Sequence, residues 1–174
     1  MHPLAQFKFC PKCGSPRFDI NNEKSKRCLD CQFVYYFNSC AATVAFILNE
    51  QNELLVCRRA KNPAKGTLDL TGGFIDSNET GEEGIAREVL EETGLEVVDT
   101  TYLFSLPNIY EYSGFQVHTL DLFFECKVKN VDKLVARDDV ADSFFMPLDK
   151  IIPNDFGLLS VRKGLRLFLD KRMK

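Results

Sequence analysis

The sequence predicts an α/β domain preceded by a small N-terminal module that cysteines hold together. The first observation is a series of strand-like apolar runs interleaved with two segments of helical spacing. The second is a concentration of cysteine near the N-terminus, where four of the seven cysteines lie within residues 10–31. A chain of 174 residues, 45% of them hydrophobic, can bury one core of ordinary size and carry a small stapled module. We therefore expect the module in residues 1–40 and the main domain in residues 41–174.

The module is marked by two Cys-x2-Cys pairs, Cys10 with Cys13 and Cys28 with Cys31, separated by fourteen residues. Four thiolates presented by two tight turns are the ligand set of a closed tetrahedral zinc site. Disulfides would need an oxidising compartment, and residues 1–9 are too short for a signal peptide and lack its apolar core. We expect a structural zinc ribbon, because four cysteines leave no open coordination position, and a cytoplasmic protein.

The main domain begins with an apolar run at residues 41–48, which predicts a buried strand followed by a turn at 49–52. Apolar spacing at residues 157–171 predicts a final helix. We expect Cys40, Cys57 and Cys126 to be buried free thiols. The other strand-like runs cover residues 54–58, 96–106, 117–128 and 143–147.

A further helix is predicted between the strand at residues 54–58 and the strand at residues 96–106. Thr80 and Glu83 have the spacing of a capping box, so the helix should begin just after Thr80. Gly94 is a typical C-terminal residue of a helix, so the helix should end there. At roughly 100° per residue, one face of this helix is apolar enough to pack against the core. That face consists of Ile85, Ala86, Val89 and Thr93.

The nearly opposite face collects Glu88, Glu91 and Glu92, and we expect it to look outward. Like charges three or four residues apart repel by roughly 0.2–0.5 kcal/mol per pair, so the three carboxylates favour a counter-charge. Carboxylate oxygens suit a hard cation, Mg²⁺ or Mn²⁺, which commonly bridges to substrate phosphate. Gly81 and Gly84 project to the same face, and our hypothesis is that they leave room for substrate. The alternative is a solvated acidic helix face.

The segment from Gly73 to Leu95 resembles the Nudix box, G-x5-E-x7-R-E-U-x-E-E-x-G-U with U aliphatic, at every position. The resemblance to the Nudix hydrolase family implies an α/β/α sandwich around a mixed sheet. It also implies a reaction in which a metal-activated water attacks phosphorus in a nucleoside diphosphate joined to another moiety, X. In this chemistry the metal lowers the pKa of the water and neutralises the leaving group.

The resemblance assigns roles to residues by position. Glu88, Glu91 and Glu92 are the implied magnesium ligands, and Glu92, or a water that it orients, is the implied base. The backbone carbonyl of Gly73 is a further implied ligand. Asp142 matches the position of a glutamate that often supplies another metal contact or the base in this family, and the alternative is that it is a solvated loop acid.

The resemblance also implies residues around the metal ligands. Glu79 and Arg87 would pair and tie the preceding loop to the helix, which fixes the orientation of the ligands. Before the box, Arg58, Arg59 and Lys65 are candidate phosphate contacts. The alternative is that these three are ordinary solvated surface cations.

A zinc ribbon joined to a Nudix domain looks like the NADH pyrophosphatase branch of the family. That branch carries S-Q-P-W-P-F-P-x-S shortly after its box. Here Ser105, Pro107 and Ser113 match this segment and Tyr110 replaces an aromatic residue, whereas its tryptophan and its other two prolines are absent. Tyr110 or Tyr112 could stack on a base, although tyrosines at a strand edge are more often packing residues.

These observations leave two main classes of function. One is a magnesium-dependent pyrophosphohydrolase that acts on NADH, NAD, ADP-ribose or an NAD-capped RNA end. The other is a non-catalytic Nudix sensor or binding module, and a narrower third is a pyrophosphatase for oxidised nucleoside triphosphates. The partner is then a small dinucleotide or nucleotide sugar, with a homodimer possible.

Charge and hydropathy disfavour other partners. The net charge is −3, and a Zn(Cys)₄ centre would cancel most of the basic excess in residues 1–40. We therefore expect no nucleic acid other than a capped RNA end. No apolar run is long enough to span a membrane.

Overall fold

A computed structural model describes residues 2–137 and 140–172, and at Tyr110 it describes the backbone only. The chain forms two compact units, divided between Ser39 and Cys40. This division falls one residue before the boundary that the sequence predicts. No helix within the described ranges has the length and apolar character needed to cross a membrane.

The N-terminal unit is a three-stranded antiparallel sheet of β1 (Phe18–Asn22), β2 (Ser25–Cys28) and β3 (Val34–Tyr36), in that order. Its small core contains Phe18 and the buried cysteines Cys10 and Cys28. The sequence analysis did not predict these strands. They are too short for a clear alternation of apolar and polar residues, and the cysteines dominate the local pattern.

The second unit contains six strands and two α-helices within the described residues. The strands are β4 (Cys40–Ile47), β5 (Glu53–Arg59), β6 (Leu68–Asp69), β7 (Val97–Tyr112), β8 (Phe115–Val128) and β9 (Val140–Pro147), and the helices are α1 (Gly81–Thr93) and α2 (Leu159–Arg172). One sheet has the order β4-β8-β7, with β4 parallel and β7 antiparallel to β8. The other has the antiparallel order β6-β5-β9. The expectation of mixed pairing is confirmed.

The strand β4 is buried on both faces, because helices cover both sides of the sheets. Val44 and Phe46 pack into a core with residues of α2, including Leu165. Their neighbours Ala45 and Ile47 point the other way and share a second core with residues of α1. This alternation follows from the two-residue period of a strand. The fold is therefore the α/β/α sandwich that the resemblance implies.

The strand predicted at residues 96–106 is longer than expected, because β7 continues to Tyr112. It joins β8 through a tight turn at Ser113 and Gly114, where φ is 53° and 70°. Pro107 cannot donate a backbone hydrogen bond, and it interrupts the apparent strand pattern. It is tolerated because β7 lies at the edge of its sheet.

The prediction for the three remaining cysteines is partly wrong. Cys57 and Cys126 are buried free thiols, and burial raises the pKa of each to about 12. Cys40, in contrast, is exposed. It is the first residue of β4, and the buried part of that strand begins only at Thr43.

Candidate active site

The helix α1 has the ends that the sequence predicts. Thr80 Oγ1 accepts a hydrogen bond from the backbone N–H of Glu83 at 3.2 Å, and Glu83 Oε2 accepts one from the backbone N–H of Thr80 at 2.8 Å. Gly94 closes the helix in a left-handed conformation, with φ of 69°. These local bonds fix the position of the helix residues that follow the cap.

Two glycines allow the loop that precedes the helix to lie against the carboxylates. The backbone N–H of Gly72 donates to Glu92 Oε2 at 3.1 Å. A Cβ at Gly72 would overlap the carbonyl oxygen of Thr43, and one at Gly73 would lie 2.5 Å from the Glu88 carboxylate. Only glycine therefore allows the loop backbone to approach both the neighbouring strand and the acidic residues.

The expectation that the acidic face looks outward is wrong for two of its three residues. Glu92 is only 8% exposed, and the side chain of Glu88 is 16% exposed, whereas that of Glu91 is 50% exposed. The loop at Gly72 and Gly73 covers the face. Burial raises the pKa of Glu88, and its hydrogen bond from Arg87 acts in the opposite direction.

Arg87 is the centre of the hydrogen bonds between the loop and the helix. Its Nε and Nη2 donate to the two oxygens of Glu79, each at 2.9 Å, and Nη2 also donates to the carbonyl oxygen of Phe74 at 2.9 Å. Its Nη1 donates to Glu88 Oε1 at 2.7 Å and to Glu91 Oε2 at 3.2 Å. The predicted Glu79–Arg87 pair is present, and these bonds lower the pKa of Glu79 and raise that of Arg87.

The hypothesis that Gly81 and Gly84 leave room for substrate is wrong. A Cβ at Gly84 would lie 3.1 Å from Glu79 Oε2, and a Cβ at Gly81 would lie 3.1 Å from the ring of Phe124. The space beside each glycine is therefore filled by protein. The glycines allow close packing of the helix against Glu79 and the sheet.

The oxygen donors at this site fit a hard divalent cation. Glu88, Glu91 and Glu92 supply carboxylate oxygens from a partly buried face. The carbonyl of Gly73 accepts a backbone hydrogen bond from Thr43 at 2.8 Å, and a carbonyl oxygen has a second lone pair. In the structure the guanidinium of Arg87 supplies the positive charge that Glu88 and Glu91 share.

The four N-terminal cysteines fit zinc. Their sulfur atoms all lie within 4.8 Å of one another, with Cys10 and Cys31 at 3.7 Å and Cys13 and Cys28 at 3.6 Å. Ligands about 2.3 Å from a tetrahedral zinc ion lie roughly 3.8 Å apart. The backbone N–H of Cys31 donates to Cys28 Sγ at 3.4 Å, a bond that favours the thiolate form that zinc binds.

A cavity of about 310 Å³ adjoins the glycine loop in the second unit. Glu92 and Gly73 line it, and so do several polar residues of the sheets that the sequence analysis did not identify. A polar residue within a strand has no motif, and only its interruption of an apolar pattern could have indicated these positions. The unpredicted polar lining residues include Asp69, Asn108, Thr119 and Asp121.

The candidate phosphate contacts lie in different environments. Arg59 lines the cavity, but its Nη1 donates to the buried Asp69 carboxylate and its Nε donates to the carbonyl of Pro63 at 2.7 Å. Burial raises the pKa of Asp69, and Arg59 opposes this shift. Arg58 donates to the carbonyl oxygen of Gly66 at 2.9 Å, and both Arg58 and Lys65 are exposed.

The remaining predicted residues lie farther along the chain. Tyr112 lines the cavity and is 62% exposed, whereas the side chain of Tyr110 lies outside the described part of the protein. Asp142 is exposed on β9, where its Oδ1 accepts a hydrogen bond from the backbone N–H of Ser143 at 2.9 Å. It does not line the cavity. Its assignment as a metal contact therefore stays a prediction.

The fold and the site define an α/β/α protein with a carboxylate-lined face held between a glycine loop and a capped helix. The sequence model of the NUDIX domain matches residues 39–167. Because this match covers most of the chain, the protein belongs to the Nudix family. Its box, from Gly73 to Leu95, forms the loop and helix described above.

Two curated relatives named NAD-capped RNA hydrolase NudC are each 31% identical to the chain. One, from Vibrio parahaemolyticus serotype O3:K6 (strain RIMD 2210633), aligns over 106 residues, and the other, from Haemophilus influenzae (strain PittEE), aligns over 107. Each alignment covers 61% of this chain and 40% of the relative. The chain therefore matches less than half the length of these proteins.

Solved structures share the fold. A NUDIX hydrolase from Nitrosomonas europaea superposes with a TM-score of 0.75, at 23% identity, over 95% of this chain and 92% of that one. A MutT protein from Methanosarcina mazei Go1 superposes with a TM-score of 0.59, at 25% identity, over 78% of this chain and 96% of that one. The first of these covers nearly the whole of both chains.

Proposed function

We propose that the protein is a Mg²⁺-dependent pyrophosphohydrolase. It cleaves the diphosphate of a nucleoside diphosphate linked to X, with NADH, NAD or ADP-ribose as the preferred substrates and AMP plus a phosphorylated moiety as products. The observation that carries the proposal is the complete set of Glu88, Glu91 and Glu92, held against the glycine loop beside a cavity. A Nudix domain with a purely structural role would not need three carboxylates at this position.

The chain supplies the ligands and positions them. Glu88, Glu91, Glu92 and the carbonyl of Gly73 would hold the cation, which when bound neutralises phosphate oxygens and lowers the pKa of the attacking water. Glu92 is fixed by the N–H of Gly72 at the cavity wall, where it can orient that water or accept its proton. Asp142 is the other candidate for either role.

Arg87 and Glu79 position these ligands. The bidentate pair joins the loop to the helix, and the same guanidinium holds the carbonyl of Phe74. Such a fork fixes geometry as well as charge. Arg87 Nη1 occupies one oxygen each of Glu88 and Glu91, so the other oxygen of each carboxylate is left for a cation.

The substrate class rests on the relatives and on the cavity. NAD-capped RNA hydrolases are among the proteins that the chain resembles, and an NAD-capped RNA end shares its diphosphate with NAD. Arg58, Arg59 and Lys65 are the candidate phosphate contacts, and Tyr112, with Tyr110, the candidate stacking residue for a base. We also propose that the four cysteines hold a structural zinc ion and that the protein is cytoplasmic.

A panel of substrates tests the function. The purified protein is incubated with Mg²⁺ and, separately, NADH, NAD, ADP-ribose, a diadenosine polyphosphate and oxidised dGTP, and the products are separated by chromatography. AMP with nicotinamide mononucleotide supports the proposal, as does AMP from ADP-ribose. Glu82→Gln, at an exposed helix acid, serves as the control variant, and Glu91→Gln should abolish the product.

One observation favours a second candidate, a non-catalytic nucleotide sensor. Arg87 makes ion pairs with both Glu88 and Glu91, so part of their charge is compensated without a cation. Thermal stabilisation by a dinucleotide with no turnover would support the sensor. Turnover of oxidised dGTP alone would instead indicate a nucleoside triphosphate pyrophosphatase.

A further inference from the structure

The cavity beside Glu92 contains a row of polar side chains that the proposed hydrolysis does not use. Asn108 of β7 lies directly opposite Thr119 of β8, and Asp121 follows Thr119 by two residues. Opposite residues of an antiparallel pair, and residues two apart, share one face of a sheet. Asn108, Thr119 and Asp121 therefore form one row, and all three are buried and line the cavity.

Asp121 presents a buried carboxylate that has acceptor capacity to spare. Its Oδ1 accepts from Thr119 Oγ1 and its Oδ2 from Ser160 Oγ, each at 2.5 Å. Both donors are neutral hydroxyls, and no ion pair of Asp121 occurs among the described residues. A carboxylate has about four lone-pair sites, so two can still accept N–H donors from the cavity.

Asn108 provides the second observation. Its residue surface is only 5% exposed, yet its side-chain amide has no hydrogen-bond partner within the described residues. No buried side-chain nitrogen or oxygen atom among the described residues lacks a hydrogen-bond partner, so the Asn108 amide atoms are reached by solvent from the cavity that the residue lines. An amide that lines a cavity without a protein partner is therefore positioned for a ligand. It offers both a donor and an acceptor.

We propose that Asn108 and Asp121 recognise a ring of the substrate that carries an N–H donor next to a hydrogen-bond acceptor. The donor would bond to Asp121, and the acceptor would receive the amide N–H of Asn108. A carboxamide has this pattern, as in nicotinamide, and so does an amino group beside a ring nitrogen, as in adenine. A group bearing a carboxylate does not, because it would face Asp121. The assignment to a dinucleotide rests on the proposed function, whereas the recognition pattern rests on the cavity.

Binding of three dinucleotides tests the inference without catalysis. Affinities of NAD, nicotinic acid adenine dinucleotide and nicotinamide hypoxanthine dinucleotide are measured by calorimetry on the zinc-loaded protein, in buffer to which no Mg²⁺ or Mn²⁺ is added. Each analogue replaces one amino group of NAD by oxygen. The wild type should bind one analogue at least about tenfold more weakly than NAD, since a buried group is left without its partner. The analogue that binds more weakly shows whether the nicotinamide or the adenine ring contacts Asn108 and Asp121.

Two variants and a control assign the preference to these residues. Asp121→Asn keeps one acceptor oxygen and replaces the other by an N–H donor, so it removes the carboxylate while a hydroxyl of Thr119 or Ser160 can turn to accept, and Asn108→Leu removes the amide at similar size. Each should reduce the preference to within about threefold, because the paired group is gone. Asp99→Asn, at an exposed acid of the same sheet that pairs with Lys127, should leave the preference unchanged. A merely structural role would lower the melting temperature and leave the ratio of affinities intact.

The outcomes separate the inference from the proposed function. Equal binding of all three compounds by the wild type, or no binding, overturns the recognition, as does a preference that persists in both folded variants. Should one variant fail to fold, the other decides. Hydrolysis of NAD with Mg²⁺ is measured on the same samples. Hydrolysis without a binding preference would support the proposed function and overturn the recognition by Asn108 and Asp121. A binding preference without hydrolysis would support the recognition and overturn the proposed function.

Discussion

The two candidate metal sites of the protein differ in how far the chain prepares them. In the N-terminal unit, four sulfur atoms already lie at the separations of a tetrahedral centre. On α1, the carboxylates of Glu88 and Glu91 are instead held by Arg87, and Glu92 is held by a loop N–H. The sulfur atoms of the first site are already assembled, whereas the carboxylates of the second are oriented and their charge is only partly compensated, by Arg87.

The difference corresponds to two uses of a metal ion. A structural site gains stability when all ligands converge on the ion and close it. A hydrolytic site must accept a cation together with its substrate and water, so its ligands are positioned without closing. Arg87 compensates the like charges until a cation arrives. The comparison predicts that changes in the first site alter folding and that changes in the second alter activity.

Loss of the zinc ligands should have the largest effect. Replacing Cys28 by Ser should unfold the N-terminal unit, because structural zinc contributes an apparent 10–16 kcal/mol, roughly, to small zinc modules. Zinc content by mass spectrometry and the intrinsic tyrosine fluorescence, to which Tyr35 and Tyr36 of this unit contribute, would follow this loss. Cys40→Ser, at an exposed cysteine outside the cluster, should change neither. A folded Cys28→Ser unit without zinc would contradict the structural role.

The next largest effect is expected at Glu92. Glu92→Gln should lower kcat by about 10²-fold or more, as the loss of a group that acts in the transition state does. Its hydrogen bond from Gly72 can be retained, so the melting temperature should change little. Glu82→Gln is the matched control. A rate near that of the wild type would remove Glu92 from the catalytic residues.

Replacing Arg87 should have an intermediate effect. Arg87→Lys keeps the charge but cannot make the bidentate pair with Glu79 and the bond to Phe74 together. We expect a loss of about 10–100-fold in metal affinity or activity, the usual cost when a group that orients the ligands is removed. The Mg²⁺ concentration that gives half-maximal rate measures it. An unchanged Mg²⁺ dependence would show that Arg87 does not position the ligands.

The two glycines of the active-site region sharpen the comparison further. Gly73→Ala would place a Cβ 2.5 Å from the Glu88 carboxylate, whereas the same change at Gly84 brings a Cβ to 3.1 Å from Glu79 Oε2. We expect the first to displace Glu88 and cut the rate about tenfold or more, and the second to act mainly through the Glu79–Arg87 pair and less strongly. Steady-state kinetics with Mg²⁺ compares them. Equal rates in both variants would contradict the contact of Gly73 with Glu88.

The smallest effect concerns acid stability. Hydrogen bonds from Arg87 lower the pKa of Glu79 below its usual 4.5. A lowered folded-state pKa contributes stability above the unfolded value, and this is lost as the pH falls through the folded value. Glu79→Gln should therefore be less stable than the wild type at neutral pH, with a difference that shrinks below pH 4.5. Denaturant melts from pH 3 to 7 would measure it, and a difference independent of pH would contradict the ion pair.

The helix of the active site could be predicted from the sequence because its signals are local. Thr80, Glu83 and Gly94 set its ends through bonds within a few residues. The pairing of Glu79 with Arg87 followed from the resemblance. The burial of Glu88 and Glu92 could not be predicted in the same way, because it depends on a loop that folds back over the helix. In the sequence, the adjacent glycines Gly72 and Gly73 are the residues that indicate this contact.

The polar row of the cavity could not be predicted for a different reason. Asn108 and Asp121 come together only through the register of β7 and β8, and register is a tertiary property. Neither residue belongs to a motif. The extension of β7 to Tyr112 was likewise masked by Pro107, which only an edge strand accommodates.

Binding of Mn²⁺ tests the central claim most directly, since the claim is that the acidic face of α1 is an open site for a divalent cation. Electron paramagnetic resonance would count bound Mn²⁺ in zinc-loaded protein, with AMP present, for the wild type, Glu91→Gln and Glu82→Gln. We predict bound Mn²⁺ in the wild type and the Glu82→Gln control, and binding weaker by about tenfold or more in Glu91→Gln. The absence of bound Mn²⁺ in the wild type, or equal binding in all three proteins, would contradict the account.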